Sequence, residues 1–185
     1  YADGAGATIL EAVESDTPVG ILAHHTRSDT DGFAWMLRMD KSYNGYRDGN
    51  DLFLKMDGRK LYEYALKTVP PTVKYCLDKS GMDISQVSKV LLHQANGKMD
   101  AAILQRLFAL YGIKEIPQGV MPMSISWLGN SSVATLPTLY DLILKNDMDQ
   151  QRIGPDDIVV FASVGAGMNI NAAVYKEPQK SVLKG

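Results

Sequence analysis

The sequence has little of what marks a membrane protein or a nucleic-acid-binding protein. Its apolar runs are far shorter than the roughly 20 residues that span a bilayer, so we expect no membrane partner. Its formal net charge of −2 provides no basic surface, so we expect no nucleic-acid partner. The composition, 45% hydrophobic and 22% charged over 185 residues, is that of a globular chain with a sizeable core.

Cysteine is almost absent from the sequence. Cys76 is the only one, so an internal disulfide is excluded. A single thiol is typical of a protein from a reducing compartment, and we predict a cytoplasmic location. Cys76 lies on the apolar face of a predicted helix, where a thiol packs as a small hydrophobic group rather than acting as a nucleophile.

The two ends of the chain share a short pattern. The opening segment YADGAGATILEAV resembles the second half of a β-hairpin whose first strand is missing, so we expect the chain to be part of a longer protein. Gly-Ala-Gly also precedes a strand in SVGAGMNINAAVY, near the other end. This repeat predicts two copies of one fold unit, of which the chain holds the tail of the first and all of the second.

Apolar periodicity predicts alternating strands and helices, which close with two strands. This order is typical of an α/β fold with a mostly parallel sheet flanked by helices. Pro70 and Pro71 should kink or split the first helix, and residues 27–56 show no clear period and should be irregular. The predicted strands cover 7–13, 19–26, 89–93, 156–164 and 169–176, a strand-like segment begins at 124, and the predicted helices cover 56–79, 98–112 and 133–146.

The segment VLLHQANG places His93 at the end of a predicted buried strand, just before a helix. Ligands of open α/β sheets bind outside the carboxyl ends of the strands. His93 is therefore either a hydrogen-bonded core residue or one half of a catalytic pair. His24 and His25 are adjacent on a strand and point to opposite faces, so they cannot form such a pair.

The segment GNSS places Asn130 at a second turn that opens a helix. Taken alone, Asn130 is explained by a turn with a helix N-cap. Taken with His93, it predicts two hydrogen-bond donors that converge on one point at the edge of the sheet.

The segment SVGAGMN contains Gly165, Ala166 and Gly167. A dinucleotide-binding loop requires a helix after its glycines, whereas a strand follows here, so we do not expect nucleotide binding. A Gly-Ala-Gly turn does allow close backbone approach and can offer a free N–H group, as an oxyanion hole requires. These features lack only a nucleophile, and we find no candidate for it in the chain.

Three of these segments, LLHQANGKM, LGNSSVATLP and SVGAGMN, resemble the C-terminal motifs of β-ketoacyl-acyl-carrier-protein synthase III, the condensing enzyme that starts fatty-acid chains. DGAGATIL and MDGRKLYEYA fit the same family. The resemblance runs from Asp3 to about Tyr175 and implies the C-terminal half of a thiolase-like α/β fold. It divides the chain into the last strands of an N-terminal half (1–26), the C-terminal half (27–176) and a flexible tail (177–185).

The resemblance implies a role for each motif. His93 and Asn130 would belong to a Cys–His–Asn triad whose cysteine lies in the absent N-terminal half. Both would donate hydrogen bonds to the thioester carbonyl of a malonyl group while it loses carbon dioxide. The Ala166 N–H would form part of the oxyanion hole for the acyl-cysteine step, in a substrate-binding turn with Gly165 and Gly167.

The resemblance also implies contacts with the substrate and a carrier protein. Asn96 would support substrate and water beside the histidine. Lys98 and Arg106 can face the same side of one helix and would dock acyl carrier protein, although a solvated helix face also explains them. Two positions depart from the family: Glu63 stands where a basic docking residue is common, and Met168 replaces a frequent aromatic residue, which leaves the acyl-chain preference open.

The predicted function is acyl transfer, by decarboxylative Claisen condensation of an acyl-cysteine with malonyl-acyl carrier protein. Acyl-coenzyme A and malonyl-acyl carrier protein are the expected substrates, and no cofactor is expected. The expected partners are the carrier protein, the coenzyme A thioester, the chain's own N-terminal half and, for the complete protein, a second copy in a homodimer. Two alternatives stay open: a secondary-metabolic condensing enzyme of the same superfamily, and a non-catalytic thiolase-like interaction module. The 185 residues alone should be inactive.

Overall fold

The computed structural model describes residues 1–44 and 50–179. The strands are β1 (Gly20–Ser28), β2 (Leu37–Asp40), β3 (Phe53–Met56), β4 (Val87–Leu92), β5 (Ile158–Gly165) and β6 (Asn169–Lys176). The helices are α1 (Gly58–Ser80), α2 (Gly97–Ala109), α3 (Ile125–Leu128) and α4 (Thr135–Leu144). Short 3₁₀ turns cover Ala34–Met36, Ile84–Gln86 and Ser132–Ala134.

The main sheet has the strand order β1-β6-β5-β4. β4 and β5 are parallel, whereas β5 pairs with β6, and β6 with β1, in the antiparallel sense. The expectation of a mostly parallel sheet is therefore wrong for this sheet, although the α/β class is correct. The reason is the connection of residues 166–168 between β5 and β6, because so short a link can join only antiparallel strands.

Helices cover both faces of the sheet. Alternate residues of β5 face opposite sides: Val160 and Ala162 join the core under α1 and α2, and Val159 joins the core under α4. Cys76 is fully buried in the first core, as the sequence predicted. Within residues 1–44 and 50–179, no helix is long and apolar enough to cross a membrane.

The first predicted strand, residues 7–13, is not a strand. A strand requires a hydrogen-bonded neighbour, and this segment pairs with none in the described chain, so that Ile9 is 95% exposed. Residues further upstream lie against the Asn130 region instead, where Ala2 N–H donates to the Asn130 carbonyl at 2.8 Å. The second predicted strand is confirmed as β1 and pairs with β6.

Residues 27–56 are more regular than predicted. They contain a 3₁₀ turn and an antiparallel hairpin in which Leu37 pairs with Met56 and Asp40 with Phe53. Four-residue strands are too short for a period to be recognised in sequence. Residues 45–49 of the same segment lie outside the described part.

α1 is a single helix of 23 residues, so Pro70 and Pro71 do not split it. Asp57 caps its start by accepting from the Lys60 N–H, and Gly81, at φ +72°, ends it. Pro70 has no N–H for the Leu66 carbonyl, one turn earlier. The Arg106 guanidinium on α2 donates to that carbonyl at 3.2 Å and replaces the missing bond.

The packed part of the chain extends past Lys176. The Glu177 carboxylate accepts a hydrogen bond from the Tyr140 hydroxyl at 2.5 Å, and the Glu177 N–H donates to the Asp157 carbonyl at 2.9 Å. Glu177 lies in the segment predicted as a flexible tail. Residues 180–185 of that segment are outside the described residues.

Candidate active site

A cavity of about 490 Å³ lies where β4 and β5 end. Four of the residues singled out from the sequence line it: His93, Asn130, Gly165 and Ala166. They come from three segments that are distant in sequence. The other lining residues are Tyr1, Leu37, Met56, Leu61, Ala95, Met99, Ser132, Val133, Leu136, Ser163, Val164, Asn169 and Asn171.

His93 directly follows β4, and its main chain continues the pairing with β5. Its N–H donates to the Ala162 carbonyl at 2.9 Å, which fixes where the imidazole leaves the sheet. Burial lowers the pKa of His93, and a backbone hydrogen bond with Ser132 opposes part of that decrease. The imidazole is therefore neutral at neutral pH, so that one ring nitrogen carries a proton and the other does not.

Asn130 follows α3, a helix of one turn, and not the strand-like segment that was predicted. A buried carboxamide determines this local structure: Gln94 Oε1 accepts from the N–H groups of Ser124 and Ile125, both at 2.7 Å, at the start of α3. The Asn130 side chain is anchored through Oδ1, which accepts from the Ser132 N–H at 2.8 Å. Its donor group is therefore Nδ2.

The turn between β5 and β6 presents main-chain groups to the cavity. The Met168 N–H donates to the Gly165 carbonyl at 3.1 Å and closes the turn. Gly167 has φ +76°, a region that favours glycine, and does not line the cavity. The Ala166 N–H, inside this turn, donates to no acceptor in residues 1–44 and 50–179. It is thus available to a ligand.

The remaining predicted positions do not line the cavity. Asn96 is the N-cap of α2, where its Oδ1 accepts from the Lys98 and Met99 N–H groups at 3.0 and 3.3 Å. Lys98 and Arg106 are both exposed on α2. Glu63 pairs with Arg59 through atoms 3.0 Å apart.

Gln94 is the main residue that sequence reasoning missed. It is 1% exposed, and its Nε2 donates to the Pro122 carbonyl at 2.9 Å, in addition to the two bonds at the start of α3. Gln94 therefore joins the strand that carries His93 to the segment that leads to Asn130. The sequence feature that could have identified Gln94 is its position next to His93, at the end of an apolar run. A carboxamide buried there requires hydrogen-bond partners.

The cavity also has polar groups that the sequence analysis did not single out. Ser163 on β5 pairs in register with Asn171 on β6, and both line the cavity. Asn171 Oδ1 accepts from the Thr26 hydroxyl at 2.8 Å, and Asn169 Nδ2 donates to the Ala166 carbonyl at 3.3 Å. Strand alternation alone would have placed Asn169 and Asn171 on one face of β6, but it could not show that Ser163 pairs there or that this face lines the cavity.

Known proteins resemble this chain in sequence and structure. Residues 77–176 match the family model of the 3-oxoacyl-[acyl-carrier-protein (ACP)] synthase III C terminal. Curated proteins named beta-ketoacyl-[acyl-carrier-protein] synthase III are 29% identical in Thermosynechococcus vestitus and 30% identical in Erythrobacter litoralis; both alignments cover 95% of this chain and 51% of the relative. The chain thus spans about half the length of the curated relatives it matches.

Solved structures show the same fold. The 3-oxoacyl-(acyl carrier protein) synthase III of Pseudomonas aeruginosa PAO1 superposes with a TM-score of 0.73 at 21% identity, over 91% of this chain and 47% of that one. The priming β-ketosynthase of the R1128 polyketide pathway superposes with a TM-score of 0.71 at 22% identity, over 89% and 47%. These neighbours confirm the thiolase-like α/β class. The match of the family model over residues 77–176 shows that the chain belongs to the 3-oxoacyl-[acyl-carrier-protein] synthase III C-terminal family.

Proposed function

We propose that this chain is the C-terminal half of a fatty-acid-initiating condensing enzyme. The observation that carries the proposal is the convergence of His93, Asn130 and the Ala166 turn on one cavity, in a chain of this family. We also propose the domain division expected from the sequence, in which residues 1–26 are the last strands of the N-terminal half, residues 27–176 form the C-terminal half and residues 177–185 form the tail. The N-terminal half would supply the acyl-accepting cysteine.

In the proposed reaction, malonyl-acyl carrier protein places its thioester carbonyl between the His93 imidazole N–H and the Asn130 Nδ2 group. Cleavage of the bond to the carboxylate releases carbon dioxide and leaves its electron pair as an enolate on the thioester. Two fixed donors stabilise the charge that grows on the oxygen. A neutral His93 suits this task, because the imidazole donates its hydrogen bond without gaining a proton.

The enolate carbon then attacks the carbonyl of the acyl-cysteine. A carbon–carbon bond forms, and the negative charge moves to the carbonyl oxygen of the tetrahedral intermediate, where the free Ala166 N–H can donate to it. Collapse breaks the carbon–sulfur bond and releases the cysteine thiolate. The product is a β-ketoacyl group on the carrier protein. Acyl-coenzyme A and malonyl-acyl carrier protein serve as substrates, and no step calls for a resident cofactor.

The proposed partners follow from the same reaction. Acyl carrier protein would approach the exposed side of α2 at Lys98 and Arg106, and the complete protein would act in the cytoplasm as a homodimer. Arg106 has a second task, because one of its guanidinium N–H groups holds the Leu66 carbonyl. Asn96 would support substrate and water only indirectly, through the start of α2 that it caps.

The test uses the protein that carries both halves. His93→Ala and Asn130→Ala should each lower the condensation rate about 100- to 1000-fold, because each removes one oxyanion donor, while acylation of the cysteine continues. His24→Ala is the matched control, since His24 is exposed on β1 and does not line the cavity. Wild-type condensation by either cavity variant would disprove the proposed function.

A polyketide-priming or other secondary-metabolic condensing enzyme is the second candidate, and the similarity to the R1128 priming β-ketosynthase favours it. Rates with acetyl and long-chain acyl donors separate the two candidates. The intact mass of the polypeptide from its own cells tests the absent half: we expect about twice the 20.3 kDa of this chain. A mass of 20.3 kDa would instead support a non-catalytic interaction module.

A further inference from the structure

The turn of residues 165–168, which carries Ala166, is held by groups from outside its own hairpin. The Met168 carbonyl accepts a hydrogen bond from the Asp29 N–H at 3.0 Å and lies 3.3 Å from the Tyr64 hydroxyl, whose single proton it shares with the closer Asp29 carboxylate. Asp29 follows β1 and Tyr64 belongs to α1, so two separate elements bind one carbonyl. The turn's position therefore depends on tertiary contacts as well as on its own sequence.

This turn needs such support because its backbone is unusual. Met168 has φ +56°, a left-handed conformation that residues with a side chain rarely adopt. Its side chain is completely buried in the core. The adjacent Gly167 carbonyl accepts from the Thr30 hydroxyl at 3.2 Å. Surrounding contacts of this kind maintain a strained conformation at a functional site.

The donors are in the correct protonation state for this task. Tyr64 is 7% exposed, and burial, together with its hydrogen bond to Asp29, raises its pKa to about 12. The Asp29 carboxylate accepts from Arg27 Nε at 2.7 Å and from the Tyr64 hydroxyl at 2.9 Å, and both bonds hold its pKa below the ordinary value. Tyr64 is therefore a neutral donor beside an anionic Asp29 at neutral pH.

Tyr64, whose hydroxyl faces Asp29 and the Met168 carbonyl, lies on α1, and this helix also forms one wall of the cavity. Leu61 lies one turn before Tyr64 on α1 and lines the cavity. We propose that Tyr64 is a positioning residue for the oxyanion donor: with Asp29 and Thr30 it holds the turn so that the Ala166 N–H points to the acyl carbonyl. This inference rests on the proposed function.

The experiment compares the two steps of the reaction in the protein that carries both halves. In Tyr64→Phe, single-turnover acylation of the cysteine by acyl-coenzyme A should slow about tenfold, because a slightly displaced donor loses part of its effect on the transition state. Decarboxylation of malonyl-acyl carrier protein uses His93 and Asn130 and should stay within about twofold of wild type, since those donors are unaltered.

Tyr75→Phe is the matched control, because Tyr75 lies on the same helix but is 56% exposed, and its ring contacts His25 at a tilted angle, with centroids 4.5 Å apart. Thr30→Val, which removes the bond to Gly167, should reproduce the step-selective loss and carries the test if Tyr64→Phe fails to fold. Unchanged acylation, or an equal loss in both steps, would overturn the inference. In each of these outcomes His93→Ala must still lower the condensation rate about 100- to 1000-fold, because a wild-type rate there refutes the proposed function itself.

Discussion

Replacing Asp100 by asparagine should stabilise the protein at pH 8 and change little at low pH. Asp100 lies in the first turn of α2, where it is completely buried. Neither of its carboxylate oxygens has a hydrogen-bond partner within the described ranges. Burial raises the pKa of Asp100 to about 7, and the nearby main chain of Asn96 opposes part of this increase.

The magnitude follows from the difference between the folded and unfolded pKa values. An aspartate in the unfolded chain titrates near 3.9, so the folded state holds a proton that the unfolded state has released. The stability from this proton is fully present below about pH 4 and is lost as the pH rises through the folded pKa, about 7. A difference of about 3 pH units corresponds to at most about 4 kcal/mol. Asparagine cannot ionise and avoids this loss.

Urea unfolding followed by circular dichroism at pH 4 and pH 8 measures the effect. Wild type should lose stability between the two pH values relative to Asp100→Asn, by up to about 4 kcal/mol. Asp141→Asn is the control, because Asp141 is exposed in a surface ion pair with Lys145, and it should change stability by less than about 1 kcal/mol. A less stable Asp100→Asn at pH 8 would refute the reasoning, because it would mean that the carboxylate has a favourable partner.

Three further predictions concern Gln94, Arg106 and Cys76. Gln94→Ala leaves main-chain N–H groups at the start of α3 without their acceptor and should lower the unfolding free energy by about 3 kcal/mol. The control Gln105→Ala, on the exposed side of α2, should be nearly neutral, and equal effects of the two substitutions would contradict this prediction. Arg106→Met keeps the aliphatic stem but loses the bond to Leu66, so it should lower stability by about 1 to 2 kcal/mol; an unchanged thermal midpoint would exclude this structural role. Cys76 should stay unmodified by acyl-coenzyme A in intact-mass spectra, since burial shields the thiol and raises its pKa; stoichiometric labelling would prove us wrong.

The elements that the sequence predicted well are those with a strong apolar period. α1, α2 and the strands β4 to β6 lie close to their predicted positions because each buries one face or both faces in a core. Elements that depend on a partner were predicted poorly. Residues 7–13 have β propensity but no neighbour to pair with, and α3 forms where a strand-like pattern meets the buried Gln94 carboxamide.

Arg106 shows the same limit for a candidate site residue. Its charge and its spacing from Lys98 predicted a docking surface, and that role stays a prediction. Its bond to the Leu66 carbonyl was not foreseeable, because it arises from the loss of an N–H at Pro70 in a different helix. A helical pattern identifies neighbours on one helix, but it does not show which groups on another helix lack a partner.

The sequence by itself determined which residues could do chemistry: a histidine at a strand end, an asparagine before a helix, a Gly-Ala-Gly turn and a single cysteine buried in an apolar face. Only the tertiary structure decided that His93, Asn130 and Ala166 line one cavity, and that Tyr64 and Asp29 hold the turn beside it. The physical reason is the distance along the chain over which each kind of interaction acts. Propensity, capping and periodicity act over a few residues, whereas the strand order and the buried hydrogen bonds that bring these groups together join segments that are far apart in the chain.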